Sequence, residues 1–167
     1  LFLFYEATDM SIDTHIKFDG VDGEATHKDH KGETEVLSWS WGVSNASAVS
    51  GGGSGKGKGT PGEFNFVHNY DKASPVLSKK CAQGAHFPSV IVTARKSGEG
   101  QKDFLKVTMK EVMITSVQPA GSQGGDLIEN VGMTYGFVEF AYKPQDDKGA
   151  LGGEVKFGWD IKTTEVT

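Results

Sequence analysis

Val36-Leu37-Ser38-Trp39-Ser40-Trp41-Gly42-Val43 is the stretch on which the fold turns. Leu37, Trp39 and Trp41 fall on one face of an extended chain and Ser38, Ser40 and Gly42 on the other, so bulky apolar groups alternate with small ones at the period of two expected of a half-buried strand. The strand is expected over residues 33–43. The same alternation recurs upstream, where Ile12, Thr14, Ile16 and Phe18 oppose Asp13, His15 and Lys17 over residues 12–18. It recurs again over residues 154–163, where Val155, Phe157, Trp159 and Ile161 oppose Lys156, Gly158, Asp160 and Lys162. Trp39, Trp41, Phe157 and Trp159 are therefore read as core.

Further strands are expected at residues 63–67, 88–96, 103–117 and 127–143. In the two longest the apolar phase switches, from Leu105, Val107 and Met109 to Val112, Ile114 and Ser116 around Lys110-Glu111. Val131, Met133, Tyr135 and Phe137 likewise give way to Val138, Phe140 and Tyr142. A β-bulge has this effect, and long kinked strands suit a barrel or a bent sandwich, whose closure needs corners. One helix is expected, with Ser74 as N-cap, Pro75 at its first position, Gly84 as its stop, and Ala73, Val76, Leu77 and Cys81 on its inward face.

Composition agrees with a mainly β chain. There are 23 glycines in 167 residues, and Gly inside a helix costs about 0.5 to 1 kcal/mol relative to Ala. Seven of them (Gly51, Gly52, Gly53, Gly55, Gly57, Gly59 and Gly62) lie in one Ser-, Gly- and Lys-rich loop over residues 45–62. The length fits one domain, expected over residues 10–167, and the apolar opening residues 1–9 are read as an added or disordered extension outside it. That opening is too short for a signal-peptide core, and no apolar run approaches a membrane span. A net charge of -5 disfavours a nucleic-acid binder. Cys81, the single cysteine, excludes an intrachain disulfide and a multi-cysteine metal site.

No catalytic constellation survives inspection. The run Gly51, Gly52, Gly53, Ser54, Gly55, Lys56, Gly57, Lys58, Gly59 is not a phosphate-binding loop, because Gly59 stands where Ser or Thr must bind magnesium and a strand follows. His27 and His30 beside Asp29 lack a completing metal ligand and read as solvated. His68, Asp71 and Ser74 are the right residue types for a nucleophilic triad but lie too close in sequence, and Ser74 is better used as a cap. Glu63, Asp103, Glu111, Glu129 and Glu139 are scattered, with no acid and base paired. Cys81 reads as a small buried hydrophobe. The tryptophans leave open a sugar platform, and the triad leaves open a small hydrolase. The balance favours an assembly role, carried by outer strand faces and the loop.

Across residues 10–166 the chain resembles the Hcp (hemolysin-coregulated protein) family, the tube component of bacterial type VI secretion systems. The resemblance is carried by Asp13-Thr14-His15-Ile16-Lys17, the residues 36–43 quoted above, and the glycine-rich loop. It continues through Tyr70-Asp71-Lys72-Ala73-Ser74-Pro75, Thr93-Ala94-Arg95-Lys96 and Leu105-Lys106-Val107-Thr108-Met109-Lys110-Glu111-Val112. Glu129-Asn130-Val131, Tyr142-Lys143-Pro144-Gln145 and Lys156-Phe157-Gly158-Trp159-Asp160-Ile161 complete it. It implies a small closed β-barrel of two antiparallel sheets with one flanking α-helix, assembled as a homohexameric ring. It also implies stacking into a hollow tube inside a contractile sheath, a VgrG spike at the tip, and effector proteins carried and chaperoned in the lumen. Catalytic residues, cofactor, metal, nucleic acid and membrane insertion are not expected. The protein would reside in the bacterial cytoplasm and then be secreted without a cleaved signal. Joined to the residue pattern, the resemblance places Ser38 and Ser40 on the lumen. It makes Gly51 to Gly59 a ring-stacking loop whose Lys56 and Lys58 meet acidic groups of the next ring.

Overall fold

The computed structural model describes residues 11–46 and 58–167. The expected extension at residues 1–9 and Gly51 to Gly57 of the expected ring-stacking loop lie outside the described residues.

In chain order the elements are β1 (Ile12–Phe18), β2 (Thr34–Val36), β3 (Ser38–Ser40), β4 (Val43–Asn45), β5 (Gly59–Pro61) and β6 (Phe64–Asn69). They continue with α1 (Ser74–Gln83), β7 (His86–Lys96), β8 (Asp103–Ala120), β9 (Ile128–Thr134), β10 (Phe137–Tyr142), β11 (Val155–Asp160) and β12 (Glu165–Val166). All pairings are antiparallel. The larger sheet runs β12-β11-β10-β8-β7-β1-β2 and branches through β8-β9-β6-β3, while β4 and β5 form a separate two-stranded hairpin.

β8 organises this arrangement. One edge pairs with β7, and the other pairs first with β10, as in Val138↔Met109, and then with β9, as in Ile114↔Met133. The change of partner falls at the expected phase switch. Met109 and Val112 are both buried while Lys110 and Glu111 between them are exposed. The register against β7 is unbroken here, Ser89↔Lys110 being followed by Phe87↔Val112. The switch is thus a kink without an inserted residue, made by Glu111 at φ 50, a conformation rare for a non-glycine residue. On the neighbouring strand Tyr135 and Gly136 separate β9 from β10 at the same level, and the Gly136 N–H donates to the Lys110 carbonyl at 3.0 Å. Two adjacent strands bend together, which forms the barrel corner.

Ile16, Phe18, Phe64, Phe66, Phe87, Met109, Ile114 and Met133 fill the interior, and each is almost fully buried. Side chains of this size contribute about 1.5 to 3 kcal/mol apiece on burial. α1 closes one side through Leu77 and Ala73, with Cys81 partly buried against the core. Gly84 ends the helix at φ 63, so that its own N–H and that of Ala85 reach the Cys81 and Lys80 carbonyls.

Several expectations need correction. The strand over residues 33–43 is broken at Leu37, which is 57 % exposed and not core. Thr34–Val36 pairs with β1 and Ser38–Ser40 with β6; between them the Leu37 N–H donates to the Val67 carbonyl at 2.8 Å. Changing partners costs one residue of phase, so Val36 and Trp39 face the core and Leu37 does not. The same junction modifies the closed barrel: no ladder joins β2 to β6, and the wall is completed by chain continuity and packing. The expected strand over residues 127–143 is two strands, and the one over residues 154–163 ends at Asp160 in a turn. Ser74 is not the N-cap. Ala73 holds that position, while Ser74 Oγ accepts from the Asp71 N–H at 3.1 Å and Asp71 Oδ1 accepts from the Ala73 N–H at 2.9 Å. Asp71 therefore ties down the helix start, one turn earlier than expected.

Candidate functional site

The outer face of the β3-β6-β9-β8 branch carries uncharged groups in two cross-strand rows. One row is Ser40, Asn65, Gly132 and Ser116, and the other is Ser38, Val67, Asn130 and Gln118. Ser38, Ser40, Asn65, Asn130 and Gln118 are exposed. Alternation fixes this, because Trp39, Phe66, Val131 and Val117 on the same strands turn toward the core. Gly132 is covered by its neighbours, since a Cβ there would stand 2.7 Å from Ser116 Oγ and 3.1 Å from Asn65 Oδ1. The result is a patch mainly of hydroxyls and amides, with the exposed Glu63 carboxylate among them, its Oε2 3.2 Å from where a Gly132 Cβ would stand, able to exchange hydrogen bonds with water or with many polar surfaces.

Beside it the β4–β5 hairpin forms the root of the glycine-rich loop, and Lys58 at its end is exposed. The root is held by an aromatic anchor. The Trp41 Nε1–H donates to the Tyr135 hydroxyl at 2.5 Å, and that hydroxyl donates to the Gly62 carbonyl at 2.7 Å. The Gly62 N–H donates to the Gly42 carbonyl at 2.8 Å, an approach so close that a Cβ on Gly62 would meet the same oxygen at 2.8 Å. Trp41 packs on Phe140 with centroids 4.7 Å apart, and Trp159 lies beneath Gly59. Burial lifts the Tyr135 phenol above its ordinary range, against the opposing bond from Trp41, so it keeps its donor proton. Trp159 is buried, whereas Trp39, Trp41 and Phe157 are partly buried against the core. Nothing in the alternation singled out Tyr135. Its role depends on the corner that carries it to Gly62.

The remaining candidates separate. His68 Nε2 bonds Glu129 Oε1 at 2.9 Å with both residues fully buried, while His68 Nδ1 stands 3.9 Å from Asp71 and makes no hydrogen bond. Asp71 is engaged by Thr34 and the helix start, and Ser74 by the Asp71 backbone. A nucleophile–base contact is not formed. Sequence reading missed Glu129 as the partner of His68; their juxtaposition follows only from the β6–β9 register. Glu111 faces Lys162 as an exposed ion pair, and Glu139 stands 3.9 Å from Lys156.

His30 is not solvated. It is buried, bonding Glu33 through Nδ1, while Nε2 lies 3.1 Å from Asp103 and 3.0 Å from Arg95. Arg95 also donates to Asp103 and Asp29, both at 2.8 Å. Among the described residues no group of three or more His, Cys, Asp or Glu side chains is arranged to hold a metal ion, and no helix is long and apolar enough to cross a membrane.

Known proteins resemble the whole of this arrangement. Protein hcp1 of Pseudomonas aeruginosa is 45% identical over 157 residues, covering 92% of this chain and 97% of its own. A solved structure described as a type six secretion system protein superposes with a TM-score of 0.89 at 30% identity, covering 94% of this chain and 100% of its own. Hcp1 from Salmonella typhimurium does so at 0.78 and 34% identity, covering 95% and 100%. The profile of the family described as "Type VI secretion system effector, Hcp" matches residues 15–142, from β1 to the end of β10. The chain therefore belongs to the Hcp family of type VI secretion systems.

Proposed function

We propose that the protein is a structural subunit of the type VI secretion inner tube. It forms homohexameric rings that stack into a hollow tube, accommodates effectors in the lumen, and leaves the bacterial cytoplasm with them. In this reading its partners are further copies of itself, the contractile sheath, the VgrG spike and the effectors. The observation that carries the reading, beyond family membership, is the polar face, which is uncharged apart from Glu63. Rows of Ser38, Ser40, Asn65, Asn130 and Gln118 suit a channel wall that must hold unlike cargoes weakly and release them. The anchored hairpin supports the second contact. A rigid root fixes where a glycine-rich loop leaves the barrel, so that residues 51–59 meet a neighbouring ring. Heterologous contacts of this kind close into rings in one direction and extend without limit in the other.

Negative-stain microscopy of the purified protein is expected to show six-fold rings, and a uniformly monomeric preparation would overturn the proposal. Ser40→Gln should keep the ring but change the amount of effector that co-purifies with it. Unchanged effector retention, or loss of the ring itself, would remove Ser40 from the lumen. Deleting residues 51–59 should leave rings that no longer stack, and normal stacking would remove the loop from the contact.

A further inference from the structure

The excursion between β1 and β2 carries two histidines, His27 and His30, and lies over a third, His15, on the barrel wall. His15 belongs by alternation to the outer face of β1, yet it is 3 % exposed because the excursion covers it. Its ring stacks on that of His30 with centroids 4.6 Å apart and planes 8° from parallel, and the His27 ring lies 5.8 Å from each. His15 Nδ1 is buried without a hydrogen-bond partner, so a proton there gains no hydrogen bond in the closed arrangement.

His30 is fixed from the other side. Arg95 Nη2 and Asp103 Oδ1 both meet His30 Nε2, at 3.0 and 3.1 Å, while Nδ1 faces Glu33. Arg95 thereby spans Asp103 and His30 with one fork and reaches Asp29 on the excursion with its other arm. These bonds, with the Lys72 N–H to Glu24, are the polar ties between the excursion and the later strands and helix loop.

We propose that the His15–His30 stack is a proton-operated latch: protonation of His15 drives the excursion over residues 22–33 off the barrel wall, while the barrel beneath it stays folded. A charge on His15 sits in a buried site against a second imidazole, and lifting the excursion both hydrates it and removes His30. The charged and titratable groups facing the pair are Asp13 on β1, Glu33 and Glu35 at β2, His27, Lys28 and Asp29 on the excursion, Arg95 on β7 and Asp103 on β8. Glu33 and Glu35 attract a proton to His15, but burial first and then His30 outweigh them and hold its pKa below the ordinary 6.5. Asp29 is held below the usual carboxylate range by its bond from Arg95. Asp103 is held there too: burial opposes the shift, and the bonds from Arg95 and His30 overcome it. Neither carboxylate takes up a proton between pH 7.5 and 5.

Because the closed-state pKa of His15 lies below its open-state value, closure is fully stable above about pH 6.5 and weakens as pH falls toward the closed-state pKa. The test is hydrogen exchange by mass spectrometry between pH 7.5 and 5, with each rate corrected for the intrinsic pH dependence of exchange. Protection of residues 22–33 should fall by up to about tenfold per pH unit below the open-state pKa, while protection of β8 and β9 stays level. His15→Gln should abolish this acid response and His27→Gln should retain it. A flat profile in the wild type, the same fall in His15→Gln, or its loss in His27→Gln would each overturn the latch. Should His15→Gln fail to fold, the wild-type His15 ring titration by NMR decides. A midpoint below 6.5 within the range where protection falls supports the latch, and a midpoint at the ordinary value overturns it.

Discussion

Replacing Tyr135 by Phe removes one oxygen atom and leaves the corner of the barrel otherwise intact. Two hydrogen bonds end on that oxygen, the donation from Trp41 at 2.5 Å and the donation to the Gly62 carbonyl at 2.7 Å. At about 1 kcal/mol net for each bond, the expected loss is about 2 kcal/mol, since the ring keeps its packing and no cavity opens. For a chain of this size that corresponds to a fall in Tm of about 4 to 8 °C. Chemical denaturation followed by tryptophan fluorescence, at one protein concentration for both proteins, should show a lower midpoint with an unchanged slope. The hydroxyl also implies an alkaline signature. The phenol is held above its usual 10.0, so its contribution is complete below that pH and is lost as pH rises through the folded-state value. Tyr135→Phe should lack this alkaline loss. A Tm change below about 1 °C, with the alkaline limb unaltered, would refute the keystone role, because even a single net hydrogen bond is worth more than that.

Trp159→Ala should cost about 3 to 5 kcal/mol in the same assay, because the ring is buried beneath the hairpin root; a cost under about 1 kcal/mol would place it outside the core. Glu129→Ala leaves the fully buried His68 Nε2 without its partner and should cost about 1 to 3 kcal/mol, whereas Glu129→Gln, which keeps an acceptor, should cost less. Equal losses in the two variants would mean that packing, and not the hydrogen bond, sets the cost.

Strand identity was legible wherever one face of a strand is core and the other is open. The residues 12–18 strand, the helix with its glycine stop, and the polarity of Ser38 and Ser40 follow from local periodicity, which depends only on backbone geometry. Reading failed where a strand changes neighbours. Leu37 looks like core by alternation and is exposed, because the segment passes from β1 to β6 there and loses one residue of phase. His30 looks like a solvated turn residue and is buried, because Arg95 and Asp103, more than 60 positions away, come to meet it.

By itself the sequence determined a mainly β domain with one helix, the family to which the chain belongs, and the mainly uncharged character of the residues now seen on the branch face. It did so because side-chain alternation, capping residues and ordered motifs are local properties of the chain. Only the tertiary structure decided which strand meets which, and with that the two polar rows, the Tyr135 anchor, the His68–Glu129 pair and the stacked histidines. Each of these is a contact between residues far apart in sequence, fixed by strand register and by the corner at Glu111, and no local pattern encodes it.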